Sequence, residues 1–213
     1  ADNFYMTVGA AAALSISIQA VTNPEDEWIT FAPFFPEYRV WVEQAKAKLL
    51  VVPAETENFQ IYFEELKKLL SPKTKGIIIN SPNNPSGVVY SEETIKRLAA
   101  LLEEKQKEYG TTIYLISDEP YREIVYDNIE VPYVPKYYPN TMVCYSYSKS
   151  LSLPGERIGY ILTPDEVDES QRLRAAIAGA GRALGYVCAP VLFQKAIARC
   201  IDTPTDIRAS KSN

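Results

Sequence analysis

Gly76-Ile77-Ile78-Ile79-Asn80 is a short apolar run that stops at a turn, Ser81-Pro82-Asn83-Asn84-Pro85-Ser86-Gly87. Ser91–Tyr109 comes next, with Ile95, Leu98, Ala99 and Leu102 on one helical stripe. Ser91 is placed to cap that helix, Glu92 and Glu93 suit its first turn, and Gly110 is placed to end it. A second apolar run, Thr112–Ser117, then stops at Asp118-Glu119-Pro120-Tyr121. Apolar strands without polar alternation are buried on both faces. Strand, helix, strand in this order therefore predicts parallel neighbours joined by a crossover helix.

The same rhythm extends in both directions. Upstream, the spacing predicts a helix over Gly9–Ala20, a turn at Asn23–Asp26 and a strand over Trp28–Phe31. A helix over Phe35–Lys46, a strand over Leu49–Val52 and a helix over Phe59–Leu70 follow. Downstream, strands are expected over Thr141–Tyr145 and Arg157–Thr163, and mostly helix after Pro164. The expected fold is α/β, a three-layer α/β/α sandwich around a mainly parallel, mixed sheet. Residues 1–203 are read as one domain and 204–213 as a tail.

Composition narrows the chemistry. The 213 residues carry a net charge of −5 with no basic run, a poor surface for nucleic acid or an anionic membrane. The apolar run Val8–Val21 is too short and too polar to span a bilayer, and no basic segment precedes it. There is no histidine, which excludes Ser-His-Asp and Cys-His catalysis and His-based metal sites, and no metal is expected. Cys144, Cys188 and Cys200 form no Cys-x-x-Cys pair and are odd in number. They read as small core residues of a protein in the reducing cytoplasm.

In parallel sheets ligands bind beyond the carboxyl ends of the strands. Three strand ends carry polar groups here: Asn84 after the first, Asp118 and Tyr121 after the second, Ser146 and Lys149 after the third. Arg157 lies eight residues past Lys149, and a helix starting at Gly9 offers free N–H groups to an anion. An aldehyde-bearing phosphate such as pyridoxal phosphate would use such a set. It needs an amine for a Schiff base, a carboxylate for its ring nitrogen, a donor for its ring oxygen, and an arginine with hydroxyls and N–H groups for its phosphate.

Three motifs in this order resemble the class I/II (fold-type I) aminotransferases: Asn83-Asn84-Pro85-Ser86-Gly87, Asp118-Glu119-Pro120-Tyr121, and Ser146-x-Ser148-Lys149 followed by Gly155-x-Arg157-x-Gly159-Tyr160. The resemblance runs over about residues 8–200. It implies that Lys149 carries pyridoxal phosphate as a Schiff base and shuttles the substrate α-proton. Asp118 would pair with the pyridinium, Tyr121 and Asn84 would bind the ring oxygen, and Phe35 would stack on the ring. Ser146, Arg157, and the chain at Gly9, Ala10 and Ala11 would hold the phosphate. The implied reaction moves an amino group from an L-amino acid to a 2-oxo acid by a ping-pong route in a homodimer.

Family chains are close to twice this length. They have a small domain built from both termini, with an arginine that clamps the substrate carboxylate, and neither has a counterpart here. The expectation is a large domain alone. The alternatives are another fold-type I enzyme (a β-lyase or decarboxylase) or an inactive large-domain fragment. Tyr145-x-x-x-Lys149 also matches a short-chain dehydrogenase pair, but no Gly-x-Gly-x-x-Gly accompanies it. Glu25 and Lys46 stand where the family often has glycine, so those turns are expected to be reshaped.

Overall fold

Ile77 and Ile79 face one side of a seven-stranded sheet and Ile78 the other, the alternation that a strand imposes. A computed structural model of the chain describes residues 2–200 and 202. Its strands are β1 (Phe4–Thr7), β2 (Glu27–Phe31), β3 (Lys48–Val52), β4 (Thr74–Asn80), β5 (Tyr114–Asp118), β6 (Thr141–Ser146) and β7 (Gly159–Leu162). They lie in the order β1-β7-β6-β5-β4-β2-β3. The five from β6 to β3 are parallel; β7 is antiparallel to both β6 and β1.

The helices are α1 (Ala10–Val21), α2 (Glu37–Gln44), α3 (Phe63–Leu69), α4 (Glu92–Tyr109), α5 (Tyr147–Ser150), α6 (Ser170–Ala183) and α7 (Val191–Cys200). Ile78, Ile116, Met142 and Ile161 pack with Leu14, Ile18, Val42, Leu173 and Ile177 from α1, α2 and α6 on one face. Ile77, Ile79 and Leu115 pack with Leu66, Leu98 and Leu102 from α3 and α4 on the other. The sheet between these two layers is the expected sandwich. Ser91 Oγ accepts from Thr94 N–H at 3.1 Å, and Gly110 closes α4 at φ 67°, as the cap residues required.

Several boundaries differ from expectation for local reasons. Residues 59–62 are not helical. Phe59 takes φ 55°, and Gln60 is drawn across to the start of α4, accepting from Ser91 N–H at 3.0 Å and Thr94 Oγ1 at 2.7 Å. Arg157 takes φ 49°, which keeps it out of β7. Glu25 and Lys46 hold their turns at φ 71° and 61°, left-handed geometry without glycine. Cys144 is core, but Cys188 and Cys200 are exposed, contrary to the reading of all three as core. Strand β1 and helix α5 were not foreseen. Residues 204–213 lie outside the described residues. Among the described residues no helix is long and apolar enough to cross a membrane.

Candidate active site

Strands β4, β5 and β6 run parallel and end side by side, with Asn80 paired to Asp118 and Asp118 to Cys144. Their polar ends open on a cleft of about 340 Å³. Ala10, Ala11 and Leu14 of α1 form one wall, and Phe35 and Trp41 of the α2 region another. Asn80, Asn84, Asp118, Tyr121, Ser146, Ser148, Lys149 and Arg157 supply its polar lining. Nine of the ten residues singled out in the sequence thus line one space. The tenth, Gly9, lies at its edge.

Asp118 is the buried charge of the cleft, 5% exposed. Its Oδ2 accepts from Tyr38 Oη at 2.5 Å, while Oδ1 is buried with no hydrogen-bond partner among the described residues. Burial pushes its carboxyl up to about 7, against the downward pull of the Tyr38 bond and with a smaller upward push from Glu119. A buried acceptor without a donor costs free energy. A ligand carrying a cationic N–H at Oδ1 would remove that cost. Backbone contacts hold the carboxylate in place: Asn80 Nδ2 donates to the Asp118 carbonyl at 2.8 Å, and Asn80 Oδ1 accepts from Asn84 N–H at 2.6 Å. Asn84 also hydrogen-bonds the Tyr121 side chain. Burial first, then Asp118, raises the Tyr121 phenol above its ordinary value.

The cationic end lies opposite. Arg157 Nη1 donates to the Pro154 carbonyl at 2.9 Å and Nη2 to the Val8 carbonyl at 3.4 Å. The sequence reading started a buried strand at Arg157; the residue is instead exposed ahead of β7, which begins at Gly159. Its guanidinium lies against Gly9, where a Cβ would stand 2.7 Å from Nη2. With α1 starting at Ala10, this corner presents guanidinium and first-turn N–H groups together, a fitting seat for a phosphate. Gly159 closes the corner from below: a Cβ there would meet the Tyr145 carbonyl at 2.3 Å and the Gly9 carbonyl carbon at 3.0 Å. Both obstacles are backbone. Gly159→Ala should therefore cost about 2–3 kcal/mol in urea unfolding, and an unchanged midpoint would show the corner to be looser than this.

Lys149 sits on the four-residue α5 and is exposed. Its Nζ lies over the Tyr121 ring, 5.9 Å from the centroid. Phe35 offers the cleft a ring braced by Tyr38 at 5.9 Å and Trp41 at 6.2 Å. Tyr38, Trp41, Asn80 and Ser148 belong to this site, and the sequence reading did not select them. Tyr38 could have been found. It shares a helical face with Val42 and Ala45, and a tyrosine buried there needs a hydroxyl partner.

A probable aspartate aminotransferase from Methanocaldococcus jannaschii is 36% identical over 169 residues, 79% of this chain and 43% of that protein. A probable N-acetyl-LL-diaminopimelate aminotransferase from Bacillus subtilis is 32% identical over 162 residues, 76% of this chain and 40% of that protein. A solved aminotransferase from Eubacterium rectale superposes with a TM-score of 0.95 at 64% identity, covering 99% of this chain and 53% of that one. The chain thus spans about half the length of the relatives it matches. Residues 1–210 match the family described as aminotransferase class I and II, and the chain belongs to that family.

Proposed function

We propose that residues 1–203 form the cofactor-binding domain of a pyridoxal-phosphate-dependent aminotransferase, which moves an amino group from an L-amino acid to a 2-oxo acid. One observation carries this reading: the buried Oδ1 of Asp118, without a partner among the described residues, belongs to a cleft that also holds a lysine amine and an arginine-flanked helix N-terminus. When bound, pyridoxal phosphate supplies an electron sink for the pair left behind when the α-proton departs.

Each residue has a task in that reading. Lys149 Nζ would hold the cofactor covalently, then, once released, take the α-proton and return it. Asp118 Oδ1 would accept the ring N–H and keep the ring cationic. Tyr121 and Asn84 would donate to the ring oxygen, and Phe35 would hold the ring flat. Ser146, Arg157 and the first-turn N–H groups of Ala10 and Ala11, freed by the turn at Gly9, would anchor the phosphate. Oriented contacts of this kind are where enzymes gain much of their rate.

The substrate side chain is left open, because relatives act on aspartate or on N-acetyl-LL-diaminopimelate by name. A homodimer in the cytoplasm is the setting we infer, from the family resemblance and from cysteines that form no disulfide among the described residues. The test is direct. Pyridoxal phosphate is added, the protein is reduced with borohydride, and the adduct is mapped by mass spectrometry. A pyridoxyl group on Lys149 supports the reading; one elsewhere, or none, rejects it.

A further inference from the structure

Tyr145 precedes Ser146 at the end of β6, and its hydroxyl is the centre of a three-residue bridge. The Oη lies 2.9 Å from Glu123 Oε1 and 2.7 Å from Ser150 Oγ. A phenol carries one hydrogen. That hydrogen goes to the carboxylate, and the Ser150 hydroxyl then donates to the phenol oxygen. Tyr145 and Ser150 are 5% and 7% exposed, so the middle of the bridge is shielded even though Glu123 reaches in from an exposed position. The ring is held independently, stacked on Tyr160 at 5.1 Å and edge-on to Tyr147 at 5.2 Å.

The two ends of the bridge belong to different parts of the site. Glu123 lies in the turn that Tyr121 opens, closed by Ile124 N–H to the Tyr121 carbonyl at 2.8 Å. Ser150 follows Lys149 directly in α5. A four-residue helix does not hold itself in water, so α5 needs an outside anchor. We propose that Tyr145 is a positioning residue whose bridge to Glu123 and Ser150 fixes the Lys149 amine against Tyr121. The proposal rests on the reading of Lys149 as the cofactor-binding amine. A displacement of the order of 1 Å at such an amine costs roughly 10²-fold in rate.

Tyr145→Phe keeps the ring and its stacking and removes only the hydroxyl. In the cofactor-free protein, amides of residues 147–151 should exchange hydrogen about two- to tenfold faster than in wild type, the loss of one buried hydrogen bond. Ser150→Ala, which removes the other end, should do the same and serves if Tyr145→Phe does not fold. Glu123→Gln keeps an acceptor and should leave exchange within about twofold of wild type. With pyridoxal phosphate bound, the pH midpoint of its absorption band should move in Tyr145→Phe by about half a unit or more. Unchanged exchange at 147–151 overturns the proposal. So does faster exchange with an unmoved midpoint, which would make Tyr145 merely structural. Should wild type take no pyridoxyl group on Lys149, the functional reading fails and the bridge is judged by exchange alone.

Discussion

Lys149→Ala should lose the borohydride-fixed pyridoxyl adduct and slow the exchange of an amino acid's α-proton with solvent deuterium by roughly 10²–10⁴-fold, the range a positioned acid–base group contributes. Four titratable side chains line the cleft: Asp118, Tyr121, Lys149 and Arg157. Arg157 carries a guanidinium, a hydrogen-bond donor with no amine to form a Schiff base. Asp118 is committed to Tyr38 on one oxygen and faces the cleft floor with the other. The Tyr121 phenol is pushed up by burial and by Asp118, which keeps it protonated and unable to take a proton. Only Lys149 can be both a nucleophilic amine and a proton carrier. Lys149→Arg keeps the charge but not the chemistry, so it should fail as completely as alanine. Proton NMR in D₂O with added pyridoxal phosphate reads the rate, and wild-type exchange in either variant would remove Lys149 from the mechanism.

What the sequence revealed follows from how locally each feature is determined. β4, α4 and β5 were legible because a buried parallel strand and an amphipathic helix each write their burial into consecutive residues. β1 was not, because a four-residue edge strand with exposed Phe4 carries no such run and exists only by pairing with β7. α5 was missed because four residues make no periodicity. Asp118, Lys149 and Arg157 were legible through motifs at strand ends. The Tyr38–Asp118 bond joins residues eighty positions apart and depends on how α2 packs on the sheet, which no short window encodes. Arg157 shows the reverse error. Its place in the site was readable, but its left-handed backbone and exposed setting were not.

Asp118→Asn should have opposite effects on stability and on cofactor binding. In the cofactor-free protein, burial lifts the Asp118 carboxyl from 3.8 to about 7. Between those values the folded protein holds a proton that the unfolded chain has released. Stability contributed by this group is therefore greatest below about pH 4, falls as pH rises through the window, and is fully lost above 7. The gap corresponds to about 4 kcal/mol, an order-of-magnitude figure. Asparagine has no proton to lose. The variant should gain a few kcal/mol over wild type at pH 8 and little or nothing at pH 4, and comparing the two proteins at each pH cancels the titration of Glu119 beside it. Urea unfolding at the two pH values measures this. Pyridoxal phosphate should bind the variant more weakly by about 2–5 kcal/mol, since a buried charge pair has lost one member. Equal stability at pH 8 would show that the carboxylate is solvated or partnered in solution. Equal affinity would show that no cationic N–H meets Oδ1. The two results together would mark Asp118 as a group kept for its ligand at the expense of the empty fold, the pattern expected of a functional site.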